Sequence, residues 1–295
     1  MSNWQHQVAM TYYKMMRQVR SRIDLGPKQI RTYMDTLSIL TPPPIGFDIQ
    51  DHKAQDVPVQ IVKHKTSVYE RCVLFIHGGA FAFGSARTHR PAACFLAKKL
   101  QCTVWLPEYR TAPEYRFPVP LEDCIKAYKA MREENPDAEI FVAGDSAGGN
   151  LSAALTVYCI QEGIQPPDRL VLMSAWLDLR PESDSCVVNY ADESIFDTND
   201  LQIYATHYLA GRSANDPLVS PLLANVEAFP PTFIQVTKNE LLYPDSKAFF
   251  GKLQEAGIPS VLDEEESLFH SWQLLPDYLP AAKKSLDKVA RFLDS

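Results

Sequence analysis

The chain has 295 residues, 46% hydrophobic and 22% charged, ordinary values for one large globular domain or one domain carrying an insertion. Its net charge of −7 argues against nucleic acid or an anionic membrane surface as the main partner, because both repel an acidic protein. The opening MSNWQHQVAMTYYKMMRQVR has no basic start followed by an apolar run, and no stretch approaches the roughly 20 apolar residues of a membrane span. A cytoplasmic location without stable membrane insertion is therefore expected. The six cysteines (Cys72, Cys94, Cys102, Cys124, Cys159 and Cys186) are scattered and form no CxxC pair, so all are expected to be reduced and structural.

In chain order, Val8, Tyr12, Met15, Met16, Val19 and Ile23 fall at helical spacing over 8–23. A second helix is predicted from Gln29 to Leu40, stopped by Pro42-Pro43-Pro44, which cannot continue it. Extended pieces follow at 46–49 and 57–62. Cys72-Val73-Leu74-Phe75-Ile76 is a continuous apolar run, the pattern of a strand covered on both faces. Helices are then predicted over about 88–100, 119–134 and 147–162, alternating with strands at 103–106, 139–142 and 170–173. After a strand at 232–236 come a helix over about 245–256, a last strand starting at Val261, and a helix over about 277–294. Such alternation predicts an α/β fold with a mostly parallel sheet. Residues 180–215 break the rhythm, being polar and then helical near 199–209, and read as an insertion over one face. Glu264-Glu265-Glu266 reads as a solvated face.

Gly144-Asp145-Ser146-Ala147-Gly148 lies between a predicted strand and a predicted helix. G-x-S-x-G in that setting is the nucleophile elbow: a strained turn projects the serine above the sheet edge, and small neighbours relieve the crowding. The helix N-terminus also favours negative charge developing there. Serine is a poor nucleophile until a base takes its proton. For this elbow the partners follow in the order acid, then histidine. His6, His52, His64, His77 and His89 precede Ser146, and His207 is in the insertion, leaving His270 in the loop after the last strand. The acid should follow the strand at 232–236. Glu240 leads and Asp245 is the runner-up, already within the predicted helix. Such a carboxylate orients the imidazole and stabilises the imidazolium. His77-Gly78-Gly79-Ala80-Phe81 follows the first parallel strand, where two glycines let backbone N–H groups approach a ligand. Gly78, Gly79 and Ala147 are the candidate oxyanion donors. His77 is expected to fix the loop rather than act as a base.

HGGAF (77–81), YRTAPE (109–114), FPVPLEDC (117–124), GDSAGGN (144–150), SAWLDL (174–179), DPLVSPLLA (216–224) and LFHSWQ (268–273) run in one order along the chain. Together they resemble the hormone-sensitive-lipase-like family of α/β-hydrolases, and within it the bacterial esterases with a GDSAG elbow. The resemblance implies an eight-stranded, mostly parallel sheet flanked by helices over 46–295, with a helical cap from 1–45 and the insertion at about 180–215. It implies a serine carboxylesterase acting on short- to medium-chain carboxylic esters, without metal or cofactor. Ser146 matches the nucleophile, His270 the base, Glu240 the acid, and Gly78, Gly79 and Ala147 the oxyanion donors. Glu240 stands where aspartate is common, and Ala80 where a third glycine is common. Tyr109-Arg110 and Glu122-Asp123 match blocks whose role is read as buried ion pairing. Phe81, Phe83 and Asp145 are candidate substrate-binding residues, and Tyr12, Tyr13, Met15 and Met16 further walls. The expected partner is a small-molecule ester, and a homodimer fits the family. Amidase or deacetylase chemistry on a small metabolite uses the same residues. Non-catalytic binding is disfavoured by the presence of His270.

Overall fold

In the computed structural model, residues 26–39, 44–68, 70–187 and 197–295 are described. The predicted helix at 8–23, with Tyr12, Tyr13, Met15 and Met16, lies outside them, as does 188–196 of the insertion. Helix α1 (Pro27–Ile39) leads into an antiparallel hairpin of β1 (Phe47–Ala54) and β2 (Val57–His64). The alternation then runs β3 (Arg71–Ile76), α2 (Ala86–Leu100), β4 (Thr103–Pro107), α3 (Val119–Glu134), β5 (Glu139–Asp145), α4 (Ser146–Gln161) and β6 (Arg169–Met173). The insertion carries α5 (Asp184–Val187) and α6 (Thr198–Leu209), and β7 (Thr232–Thr237), α7 (Tyr243–Glu255), β8 (Ser260–Glu265) and α8 (Pro280–Leu293) complete the chain.

The sheet has eight strands in the order β1-β2-β4-β3-β5-β6-β7-β8. Strands β3 to β8 pair in parallel and only the β1–β2 and β2–β4 pairs are antiparallel. Side chains alternate across the central strands, as the period of two requires. Leu74, Ile140 and Val142 face one apolar layer with Tyr128 of α3, Leu151 of α4 and Phe249 of α7. Val73, Phe75, Phe141 and Ala143 face the other, with Leu96 of α2 and Leu286 of α8. Fully burying one such side chain contributes about 1.5–3 kcal/mol.

Helix starts follow local chemistry. Ser85 and Thr88 form a reciprocal capping box at α2, and Asp197 and Asp200 do so at α6, each satisfying N–H groups that the first turn leaves open. Cys72, Cys94, Cys102, Cys124 and Cys159 are free and buried. Burial pushes the Cys72 thiol up to about 11 and those of Cys94, Cys102 and Cys159 to about 12, which keeps them unreactive. The side chain of Cys186 lies outside the described residues. Among the described residues no helix is long and apolar enough to cross a membrane. The acidic triplet is solvated but paired: Lys238 reaches Glu266, Lys288 reaches Glu265, and the Tyr243 hydroxyl donates to Glu264.

Candidate active site

In-register parallel pairing places Ile76 beside Gly144 and Asp145 beside Met173. The loops after β3, β5, β6, β7 and β8 therefore emerge along one carboxyl edge of the sheet, where α/β proteins bind ligands.

The elbow has the expected strain. Ser146 has φ 53°, left-handed for a residue with a side chain. The turn is compressed so tightly that a Cβ on Gly148 would lie 2.2 Å from the carbonyl oxygen of Ile76 and 2.4 Å from that of His77. A Cβ on Gly144 would lie 2.3 Å from the Gly148 oxygen. Only glycine fits either position, which is the physical content of the motif. Ser146 is 5% exposed, at the head of α4. The Ala147 N–H belongs to the first helical turn, which has no intrahelical acceptor.

His270 and Glu240 are brought together. His270 Nδ1 lies 2.6 Å from Glu240 Oε2, with both side chains buried. Glu240 Oε1 also accepts the Thr237 N–H at 3.1 Å. An ionised Glu240 can only accept, so the Nδ1 proton is shared with it and Nε2 is left as the basic nitrogen. Buried bonds hold the histidine loop from behind. Trp272 Nε1 donates to Ser285 Oγ at 2.9 Å, and Gln273 Nε2 donates to Gln235 Oε1 at 3.0 Å. The runner-up acid is elsewhere. Asp245 accepts the N–H groups of Leu177 and Asp178 at 2.8 and 2.9 Å and the hydroxyl of Ser185. It ties α7 to the loop after β6 and to α5. Burial, reinforced by the nearby Asp178 charge, pushes its carboxyl up to about 7.

Several sequence expectations are corrected. The Gly78 N–H, read as an oxyanion donor, already points at Asp145 Oδ1, 3.0 Å away, and His89 Nε2, 3.2 Å away. The next N–H groups, of Gly79 and Ala80, have no acceptor among the described residues. Gly79 has φ +114°, and Ala80 and Phe81 follow at 50° and 58°. The Gly79 carbonyl takes the N–H groups of Ala82 and Phe83, both at 2.9 Å, in a tight turn. Gly79 and Ala80, rather than Gly78, thus have the N–H groups that this loop leaves open. Sequence alone flagged the loop but not which of its N–H groups is already engaged.

Asp145, read as substrate-binding, is 2% exposed and its carboxylate is fully engaged. Oδ1 meets His89 Nε2 at 2.9 Å as well as the Gly78 N–H, and Oδ2 accepts from Ser271 Oγ at 2.9 Å. Burial pushes the Asp145 carboxyl up, but the charge of His89 and the bonds from His89 and Ser271 outweigh it and hold it below its ordinary value. It is a junction between loops. Phe81 is likewise closed off: it is 0% exposed, stacked on Tyr208 of α6 with centroids 3.8 Å apart and tilted against Trp176. Phe83 meets Tyr204 edge-on at 5.5 Å. The two phenylalanines clasp the insertion helix to the loop, and Phe83 is the more open of them at 7%. His77 stacks on Tyr109, whose hydroxyl donates to the His77 carbonyl. Burial pushes His77 down to about 3, so it is neutral, consistent with a loop-fixing role. Arg110 pairs with Asp123 through two bonds of 2.8 and 2.7 Å, whereas Glu122 is exposed. Of the expected buried pairing, only the Asp123 half is buried. Among the described residues no group of three or more His, Cys, Asp or Glu side chains is placed to hold a metal ion.

Residues 73–274 match a family described as having the alpha/beta hydrolase fold. An esterase of Acinetobacter venetianus is 30% identical over 99% of this chain and 97% of its own length. An acetyl-hydrolase of Streptomyces hygroscopicus is 34% identical over 76% of this chain and 75% of its own. Among solved structures, an esterase from the bacterial hormone-sensitive lipase family superposes with a TM-score of 0.89 at 28% identity, covering 96% of both chains.

Proposed function

This chain belongs to the alpha/beta-hydrolase family, and from that premise we propose that it is a serine carboxylesterase cleaving short- to medium-chain esters through Ser146, His270 and Glu240. The observation that carries the reading is the buried Glu240–His270 pair, on a loop tied by hydrogen bond to the residue preceding Ser146. His270 Nε2 takes the Ser146 proton as Oγ attacks the ester carbonyl. The oxyanion that forms is met by the N–H groups of Gly79, Ala80 and Ala147. One such donor typically accounts for about 3–4 kcal/mol of transition-state stabilisation. The imidazolium, stabilised by Glu240, returns its proton to the leaving alcohol, and the acyl group stays on Ser146. Water activated by His270 then attacks, the acid departs, and the serine is reprotonated. Phe81 and Phe83, on the turn that follows Gly79 and Ala80, are packed against Tyr208 and Tyr204, and this filled aromatic packing supports a preference for compact acyl groups. The acetyl-hydrolase relative points the same way.

The test is hydrolysis of p-nitrophenyl acetate, butyrate, octanoate and palmitate by wild type and by Ser146→Ala. Turnover of the short esters that vanishes in the variant is expected. Turnover surviving in the variant, or none by wild type on any ester, overturns the reading.

A further inference from the structure

Hydrogen bonds join three loops at the carboxyl edge, and Ser271 sits where they meet. Its hydroxyl donates to Asp145 Oδ2 at 2.9 Å, and its N–H donates to Ser174 Oγ at 3.3 Å. Ser174 is buried, has φ 48°, and donates its own N–H to the Gln235 carbonyl on β7 at 2.7 Å. Two residues on, the Trp176 N–H donates to the carbonyl of Ser146 itself at 3.1 Å. The elbow, the loop after β6 and the histidine loop thus form a closed ring of contacts. Ser271 is covalently next to His270, and Asp145 is covalently next to Ser146.

We infer that Ser271 is a positioning residue for the reaction, its hydroxyl bond to Asp145 setting where the His270 imidazole stands relative to Ser146. The inference rests on the reading of Ser146 and His270 as nucleophile and base. The physical need is clear. Glu240 meets the ring at Nδ1, and that bond does not by itself fix the backbone that carries the ring. The backbone must be held on the other side. There it takes φ 55° at Ser271, a left-handed conformation that costs a residue with a side chain about 1–2 kcal/mol. Two ties at that residue retain the conformation. Asp145 is a rigid anchor because its other oxygen is fixed by the Gly78 N–H and by His89, whose Nδ1 in turn lies 2.8 Å from Thr88 Oγ1 and 3.1 Å from the Ser85 carbonyl. The same carboxylate therefore ties the base loop and the oxyanion loop to the elbow. A shift of the base costs rate far more than it costs binding, since an error of about 1 Å in geometry can cost about 100-fold.

Ser271→Gly separates position from stability. It removes the hydroxyl while placing at φ 55° the residue that adopts this conformation without penalty. The measurements are the thermal midpoint, kcat and KM on p-nitrophenyl butyrate, and the second-order rate at which an ethyl p-nitrophenyl phosphonate labels Ser146. Ser271→Ala, which also lacks the hydroxyl but keeps the strained backbone, and Ser146→Ala are run beside it. The expected result for Ser271→Gly is an unchanged or higher midpoint, a kcat and a labelling rate lower by about 10–100-fold, and a KM within about twofold of wild type. Ser271→Ala loses kcat to the same extent despite a lower midpoint. Wild-type kcat and labelling rate in Ser271→Gly overturn the inference, as does a kcat that tracks the midpoint across the two variants. Failure of the esterase reading looks different: Ser146→Ala retains turnover, or wild type has none. In the latter case the labelling rates still decide the role of Ser271.

Discussion

Asp245→Asn is expected to stabilise the protein at alkaline pH. The native carboxyl of Asp245 is held up at about 7 against an ordinary value of 3.8. The folded state therefore keeps a proton that the unfolded chain releases from about pH 4 upward. Stability contributed by this proton is fully present below pH 4, falls by about 1.4 kcal/mol per pH unit above it, and is gone once pH passes about 7. The loss totals at most about 4 kcal/mol. An asparagine reproduces the protonated acid. Its oxygen can accept the N–H groups of Leu177 and Asp178, and its Nδ2 can donate to Ser185 Oγ, which keeps the native partners and reverses only the bond with the Ser185 hydroxyl. It also removes a like charge from beside the buried Asp178, which already has Arg180 as its partner. Urea unfolding of both proteins at half-unit steps from pH 4 to 8.5 isolates this one group, because all other titrations cancel in the difference. The variant should match wild type near pH 4 and exceed it by up to about 4 kcal/mol at pH 8. A variant that is less stable than wild type at pH 8 would show that the site holds an ionised carboxylate, and the reasoning would fail.

Glu240→Gln should separate the two acids that chain order left in competition. It removes the charge opposite His270 Nδ1 and should lower kcat on p-nitrophenyl butyrate by about 10³–10⁴-fold. Asp245→Asn should leave kcat within a few-fold, and equal losses in both variants would refute the assignment. Gly148→Ala drives a Cβ to 2.2 Å from the Ile76 carbonyl, so the backbone of the elbow or the oxyanion loop must move. A stability loss above about 2 kcal/mol by urea unfolding is expected, with kcat falling about 100-fold or more. Wild-type values for both would show that the turn is looser than its geometry.

Legibility in the sequence followed the range of the interactions. Strand alternation exposed the parallel core. The elbow was readable because its steric demand is local: Gly144 and Gly148 crowd atoms only a few residues away or on the adjacent strand. Chain order singled out Glu240, and the structure places it against His270. Asp145 was misassigned because what defines it lies 56 residues upstream at His89 and 126 downstream at Ser271, and no spacing rule connects such positions. Gly78 was misassigned because its N–H is taken by Asp145, 67 residues away, and by His89, 11 residues away, contacts that the local spacing does not announce. Ser174 and Ser271 lie within the SAWLDL and LFHSWQ blocks, but the contact between them is purely three-dimensional.

The order of the strands has a consequence for how such a protein diversifies. Ser146, His270, Glu240 and the Gly79–Ala80 turn hang from loops after β5, β8, β7 and β3, and hydrogen bonds join these loops to one another. The rings that hold Phe81 and Phe83 come from a different source: Tyr204 and Tyr208 on α6, in the stretch between β6 and β7. That stretch can lengthen, shorten or exchange its rings while the sheet keeps its register. The hydrogen-bonded loops and the aromatic segment are thus separate parts of the chain. An exchange of that one segment would leave the bonds among the loops at the carboxyl edge in place.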